Sequence, residues 1–239
     1  MEVFFDRVRR SFGPLNQKQV DGFNAILAAS VSVPTRHRAY MLATAWHEVD
    51  KTMQPIEEYG KGKGKKYGLP AGPYMQTYYG RGLVQLTWLE NYAKATRRLT
   101  ELGLIGPDVD LVKTPDLALD PKIAVHILIV GMSEGWFTGK RLGDFTSYVS
   151  MRAVVNGSDK AALIAGHAEV FEDALIALAA TVVDPPTPPE SHKQPDDPGI
   201  EAPPPAKTSS ATLAKLVGAL LVAAIGGLIA FVIGLIGGN

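Results

Sequence analysis

The end of the chain constrains its architecture most. After Lys215 the sequence runs LVGALLVAAIGGLIAFVIGLIGGN, with no charged residue and only Asn239 polar. As a helix, Leu216 to Ile236 would extend about 32 Å, matching a hydrocarbon core of about 30 Å. The segment before it, Asp184 to Ser210, carries nine of the seventeen prolines and almost nothing apolar. Such a composition cannot bury enough surface to offset chain entropy, and its proline runs favour an extended tether reaching up to about 80 Å. A helix isolated behind that tether has no core to enter, and no polar face to lie along an interface. The sequence therefore predicts a spanning helix. Gly226, Ala230 and Gly234 recur every four residues, a spacing that lets two such helices pack closely. Three regions follow: a globular part over 1–183, a linker over 184–210 and a hydrophobic membrane-spanning tail over 211–239.

The globular part is long enough to bury one substantial core. Its first residues, MEVFFDRVRRSFG, interrupt any apolar run with acids and arginines, so no N-terminal signal peptide is expected. Equal numbers of basic and acidic residues, 24 each, give no reason to expect nucleic acid as a partner, and the absence of cysteine removes disulfides, thiolate metal sites and cysteine nucleophiles. Asn16 followed by Val20, Phe23, Ile26 and Leu27 reads as a capped amphipathic helix. Further helices are expected at Arg36–Glu48, Leu89–Leu102, Pro121–Trp136, Ser147–Val155 and Asp159–Ala180. Between Lys51 and Gln85 the pattern breaks into glycines, lysines and tyrosines, with strand-like pieces at Met75–Tyr79 and Leu83–Leu86. The expected fold class is mainly α (α+β): helices with a small loop-rich or β lobe.

Phosphate-cradling glycine motifs are absent, and the HE pair at His47–Glu48 meets Lys51 where a zinc protease needs histidine. Carboxylates remain. Tyr40 to Trp46 is apolar almost all round, so it predicts a buried helix with Glu48 at its end. Loss of hydration disfavours a charge there, which would let Glu48 keep a proton near neutrality. Glu57 and Glu58 precede Lys61, Lys63, Lys65 and Lys66, cations that favour an ionised carboxylate. One proton-holding and one charge-holding carboxyl is the pair that glycoside hydrolysis requires. A solvated helix end and a surface ion pair are the alternative readings of the same residues.

Longer strings sharpen this. AYMLATAWHE (39–48), TMQPIEEYGKGKGKKYG (52–68), YYGRGLVQLTWLENY (78–92) and VVNG (154–157) together resemble the family 19 glycoside hydrolases, chitinases and related phage-type endolysins, over most of residues 14–180. The resemblance implies a lysozyme-like, two-lobed catalytic domain that needs no cofactor and no metal. It implies Glu48 as general acid and Glu58 as the carboxylate that activates water, with Glu57 as the fallback. Gln85 and Thr87 match a polar pair lining the cleft, Thr87 standing where plant chitinases have serine, and Asn91 and Asn156 match amides that hold sugar. Tyr79, with Tyr78 and Trp88, offers flat faces to pyranose rings or packs as core. Arg81 either braces a carboxylate or sits at the surface. The family mechanism implied is inversion, for which the carboxyls stand about 6.5 to 9.5 Å apart around a water.

Chitin and the glycan strand of peptidoglycan share a β-1,4-linked N-acetylglucosamine backbone. The lysine loop favours a polymer bearing carboxyls, as peptidoglycan does, and the TMQPI and YGRGxVQLTW strings resemble the compact endolysin branch. The expected function is lysis of the bacterial cell wall by a phage or prophage enzyme, membrane-associated through its C-terminal helix, acting in the periplasm and dependent on a holin for passage. A chitinase, or a non-catalytic membrane-tethered glycan-binding protein, is the alternative.

Overall fold

The structure, a computed structural model, describes residues 1–183. The linker expected over 184–210 and the span expected within 211–239 lie outside the described residues. Among the described residues, no helix is long and apolar enough to cross a membrane.

The architecture is mainly helical with one small antiparallel sheet. In order, α1 (Glu2–Phe12), α2 (Gln17–Ala29) and α3 (Thr35–Glu48) precede the short strands β1 (Ile56–Glu57) and β2 (Arg81–Gly82); α4 (Leu89–Glu101), α5 (Pro121–Glu134), α6 (Tyr148–Met151) and α7 (Ala161–Val183) follow. Helix α3 forms the centre: every residue from Ala39 to Trp46 is buried, and its most extensive packing is against α7. An apolar sequence all round a helix has this outcome, since each face must be covered. Phe23, Trp46 and Phe171 bring rings from α2, α3 and α7 together, with centroids 5.5 to 6.3 Å apart.

Local chemistry sets the helix limits. Asn16 and Gln19 form a reciprocal capping box at the start of α2, with bonds of 2.8 and 3.0 Å. Asp120 caps α5 through the amides of Lys122 and Ile123, Pro121 occupies its first turn, and Gly135 closes it in the left-handed conformation at φ 76°. That glycine ends the helix two residues before the expected Trp136.

Three expectations are corrected. The N-terminal segment, read only for targeting, is a helix: Phe4, Phe5 and Val8 are buried, and the helix packs on α7. Its moderate apolar content hides a one-sided distribution, with Glu2 in the first turn and Arg9 and Arg10 in the last to complement the helix dipole. The strands lie elsewhere than the sequence predicts: Ile56 pairs with Gly82 and Glu57 with Arg81. Met75 (φ 50°) and Gln85 (φ 53°) are left-handed and interrupt the two expected strands. Finally, the helix expected over Ser147–Val155 tightens after Met151 into a 3₁₀ turn at Arg152–Val154. Arg152, the first residue of that turn, is buried.

Candidate active site

Glu48 sits where the buried helix α3 ends, and its side chain is 16% exposed. It is not the unpaired, dry carboxyl expected from the apolar helix. Arg152, only 4% exposed, donates from Nη1 to Glu48 Oε1 at 2.7 Å and from Nε to the Asp159 carbonyl at 3.0 Å. Glu48 Oε2 has no hydrogen-bond partner among the described residues, so one oxygen of the carboxyl is held and the other is unpaired.

Glu58 is held differently. Tyr67 donates its hydroxyl to Oε1 at 3.1 Å and the Gly80 amide donates to Oε2 at 3.2 Å, while the Glu58 amide donates to the Gly80 carbonyl at 2.8 Å. The carboxylate is thus clipped to the loop following Tyr79 by neutral donors, and each oxygen retains a lone pair that can accept from a water. Of the lysines expected to favour ionised Glu57 and Glu58, Lys61 pairs with Glu57. Lys61 Nζ lies 2.8 Å from Glu57 Oε2, and Tyr79 donates to Glu57 Oε1 at 2.7 Å. These bonds, that from Lys61 first, hold the Glu57 carboxyl below its usual range. Burial, then the bond to Glu58, raises the Tyr67 phenol.

A cavity of about 300 Å³ joins these elements. Glu48, Gln85, Thr87, Asn91 and Asn156 line it, together with Tyr67, Trp88, Val84, Val155 and Phe137. Five candidate residues from three stretches of sequence therefore meet at one groove. Glu58 does not line it; Tyr67, a wall residue, donates its hydroxyl to the Glu58 carboxylate. No direct hydrogen bond links Glu48 with Glu58.

The loop before α4 gives the groove its polar wall. Gln85 Nε2 donates to the carbonyls of Ile56 and Gly82, each at 3.3 Å, fixing the amide across the sheet. Thr87 Oγ1 donates to the Gln85 carbonyl at 2.8 Å, and Asn91 Nδ2 donates to the Thr87 carbonyl at 2.9 Å. Gln85 and Trp88 (φ 77°) both hold left-handed backbone, a conformation that is costly for side chains of this size and that clusters at functional sites. Asn156 accepts from the Gly157 amide at 2.8 Å and is exposed. Trp88 is 45% exposed, with its ring edge-on to Tyr67 at 5.2 Å.

No family model and no curated protein matches the chain. Among solved structures it is similar to chitinase C from Streptomyces griseus HUT6037, at 21% identity and a TM-score of 0.49, covering 73% of this chain and 75% of that one. It is also similar to a bacterial family 19 chitinase, at 23% identity and a TM-score of 0.43, covering 71% of this chain and 93% of that one.

Tyr79 and Arg81, like Glu58, do not line the groove. Tyr79 is 7% exposed and does not line the cavity; its hydroxyl is committed to Glu57. Arg81 is 4% exposed and does bond a carboxylate, but that of Asp116, through Nε at 2.9 Å. Its guanidinium lies 3.7 Å from the Tyr79 ring centroid and donates to the Tyr92 hydroxyl at 3.1 Å. Both residues brace the small lobe from behind. Two residues of the site went unread in the sequence. Arg152 stands one turn before Asn156 in MRAVVNG, two residues ahead of VVNG, and Tyr67 lies within TMQPIEEYGKGKGKKYG, closing the lysine loop.

Proposed function

We propose that this chain is an endolysin-type glycosidase that hydrolyses β-1,4 bonds of the peptidoglycan glycan strand by inversion, using Glu48 as acid and Glu58 as base. The observation that carries the reading is the single groove lined by Glu48, Gln85, Thr87, Asn91, Asn156 and Tyr67, the last holding Glu58. In this reading the free Oε2 of Glu48 delivers a proton to the leaving glycosidic oxygen. Glu58 accepts a proton from a water that attacks the anomeric carbon on the opposite face, so that the bond breaks with one water consumed. Gln85, Asn91 and Asn156 bind sugar hydroxyl and acetamido groups, Thr87 helps to hold the water, and Trp88 offers a ring to a pyranose face.

The choice of peptidoglycan over chitin is supported by the loop over residues 61–66. Lys61 is engaged by Glu57, whereas Lys63, Lys65 and Lys66 are exposed and lead directly into Tyr67 on the groove wall. These cations suit the lactyl and peptide carboxyls that chitin lacks. The C-terminal apolar segment is proposed as a membrane anchor that keeps the enzyme near the wall once a holin permits passage; deleting residues 211–239 and fractionating cells tests this.

Turbidity loss of purified peptidoglycan by wild type, Glu48→Gln and Glu58→Gln tests the catalytic assignment. Wild type should clear the suspension and both variants should be slower by about 10²-fold or more. Equal clearing by all three would overturn the assignment, and faster turnover of chitin oligomers would move the substrate to chitin.

A further inference from the structure

Helix α3 carries two buried hydroxyls that no group among the described residues satisfies. Tyr40 and Thr44 are 1% and 0% exposed, and neither Tyr40 Oη nor Thr44 Oγ1 has a hydrogen-bond partner among the described residues. Ser30 and Thr96 each return their hydroxyl to the carbonyl four residues back, Ser30 to Ile26 and Thr96 to Tyr92. Thr44 does not. Tyr40, Thr44 and Glu48 recur every four residues, so they lie on one face of α3 in successive turns.

The surroundings of Tyr40 connect it with Glu48. Burial pushes its phenol up to about 12, with Arg152 opposing and Glu48 adding to the rise, so the hydroxyl remains a donor across the working range of such a cleft. The ring is stacked on Tyr148, with centroids 5.9 Å apart and planes 11° from parallel. Native interiors satisfy nearly all buried polar atoms with protein groups or ordered water, and a water needs two or more polar partners.

We infer that Tyr40 and Thr44 are positioning residues, holding internal water against the inner side of the Glu48 and Arg152 pair and so fixing the carboxyl toward the groove. The inference rests on Glu48 being the proton donor. Its role is orientation: neither hydroxyl touches the glycan. Removing either one leaves Glu48 in place but loosens its angle, which slows the chemical step without altering the sugar-binding wall.

The test uses full-length Tyr40→Phe, Thr44→Val and Thr44→Ser, with kcat, KM and Tm measured for each. Tyr40→Phe and Thr44→Val should each lower kcat about 10-fold with KM unchanged and Tm not raised, and Thr44→Ser should restore kcat to within about twofold of wild type. An active wild type whose kcat is insensitive to Tyr40→Phe and Thr44→Val overturns the inference. If Tm rises at the same time, the hydroxyls bind nothing, since deleting an unsatisfied polar atom stabilises. A wild type that releases no product from any glycan is a different failure, because it removes the catalytic reading of Glu48 itself.

Discussion

Replacing Arg152 by methionine removes a guanidinium of similar length while keeping an apolar stem in its place. The wild-type side chain is 4% exposed and makes two bonds, to Glu48 Oε1 at 2.7 Å and to the Asp159 carbonyl at 3.0 Å. A hydrogen bond to a charged group contributes about 1.5–3 kcal/mol, and breaking a fully buried ion pair costs about 3–5 kcal/mol. Glu48 lines a cavity and is 16% exposed, so water can reach the abandoned carboxylate and the cost falls below that range. About 2–3 kcal/mol is expected, lowering Tm by roughly 4–12 °C for a domain of this size. Activity should fall further than stability, because a carboxyl that is present but unheld loses much of the roughly 10²–10⁴-fold that a positioned acid supplies. We expect kcat to drop about 10²-fold for Arg152→Met and less for Arg152→Lys, which keeps the charge but loses the forked geometry. Thermal melts and initial rates on peptidoglycan measure both. A variant with kcat within threefold of wild type and an unchanged Tm would refute the claim that this pair organises the acid.

Three further outcomes follow from other parts of the molecule. Trp88→Ala removes the exposed ring on the groove and should raise KM about 3–10-fold with little change in kcat, read from initial rates across substrate concentration. Gly82→Ala places a Cβ 2.9 Å from the Ala118 carbonyl at a backbone φ of +88°, and should cost about 1–3 kcal/mol in a denaturant titration. The His167 imidazole is held below its ordinary value of 6.5, first by burial, then by His47 and Lys51, and burial lowers His37 and His126 too. The unfolded chain therefore takes up protons more readily. Stability should be full above about pH 6.5 and fall as pH drops from there through the lower folded value; melts from pH 7 to 5 for wild type and His167→Gln should show a shallower decline in the variant.

How much of this was legible in the sequence depended on whether the signal was local. Asn16 and Gln19, Asp120 and Pro121, and the wholly apolar stretch before Glu48 announce their helices because capping and burial act within a few residues. Helix α1 was missed because its apolar residues occupy one side among charges, and its partner α7 lies more than 150 residues away. The strands lie elsewhere because β-propensity says little where Gln85 and Met75 take left-handed backbone. Glu48, Gln85, Thr87, Asn91 and Asn156 were identifiable from motif strings and meet at one cavity. Their electrostatics were not identifiable. Neighbouring lysines in the chain implied a cation beside Glu58, yet Glu57 takes Lys61; an apolar helix implied a dry Glu48, yet Arg152 arrives from 104 residues further on. Sequence adjacency predicts charge partners poorly when a hairpin sends consecutive side chains to opposite faces.

The account stands most directly on the stereochemistry of the bond cut. If Glu48 protonates the leaving oxygen while Glu58 activates a water, the new reducing end should appear first as the α-anomer from a β-linked strand, seen by proton NMR within the first minutes, before mutarotation mixes the forms. A β-anomer at early times, or unaltered glycan after prolonged incubation with the wild-type protein, would contradict it.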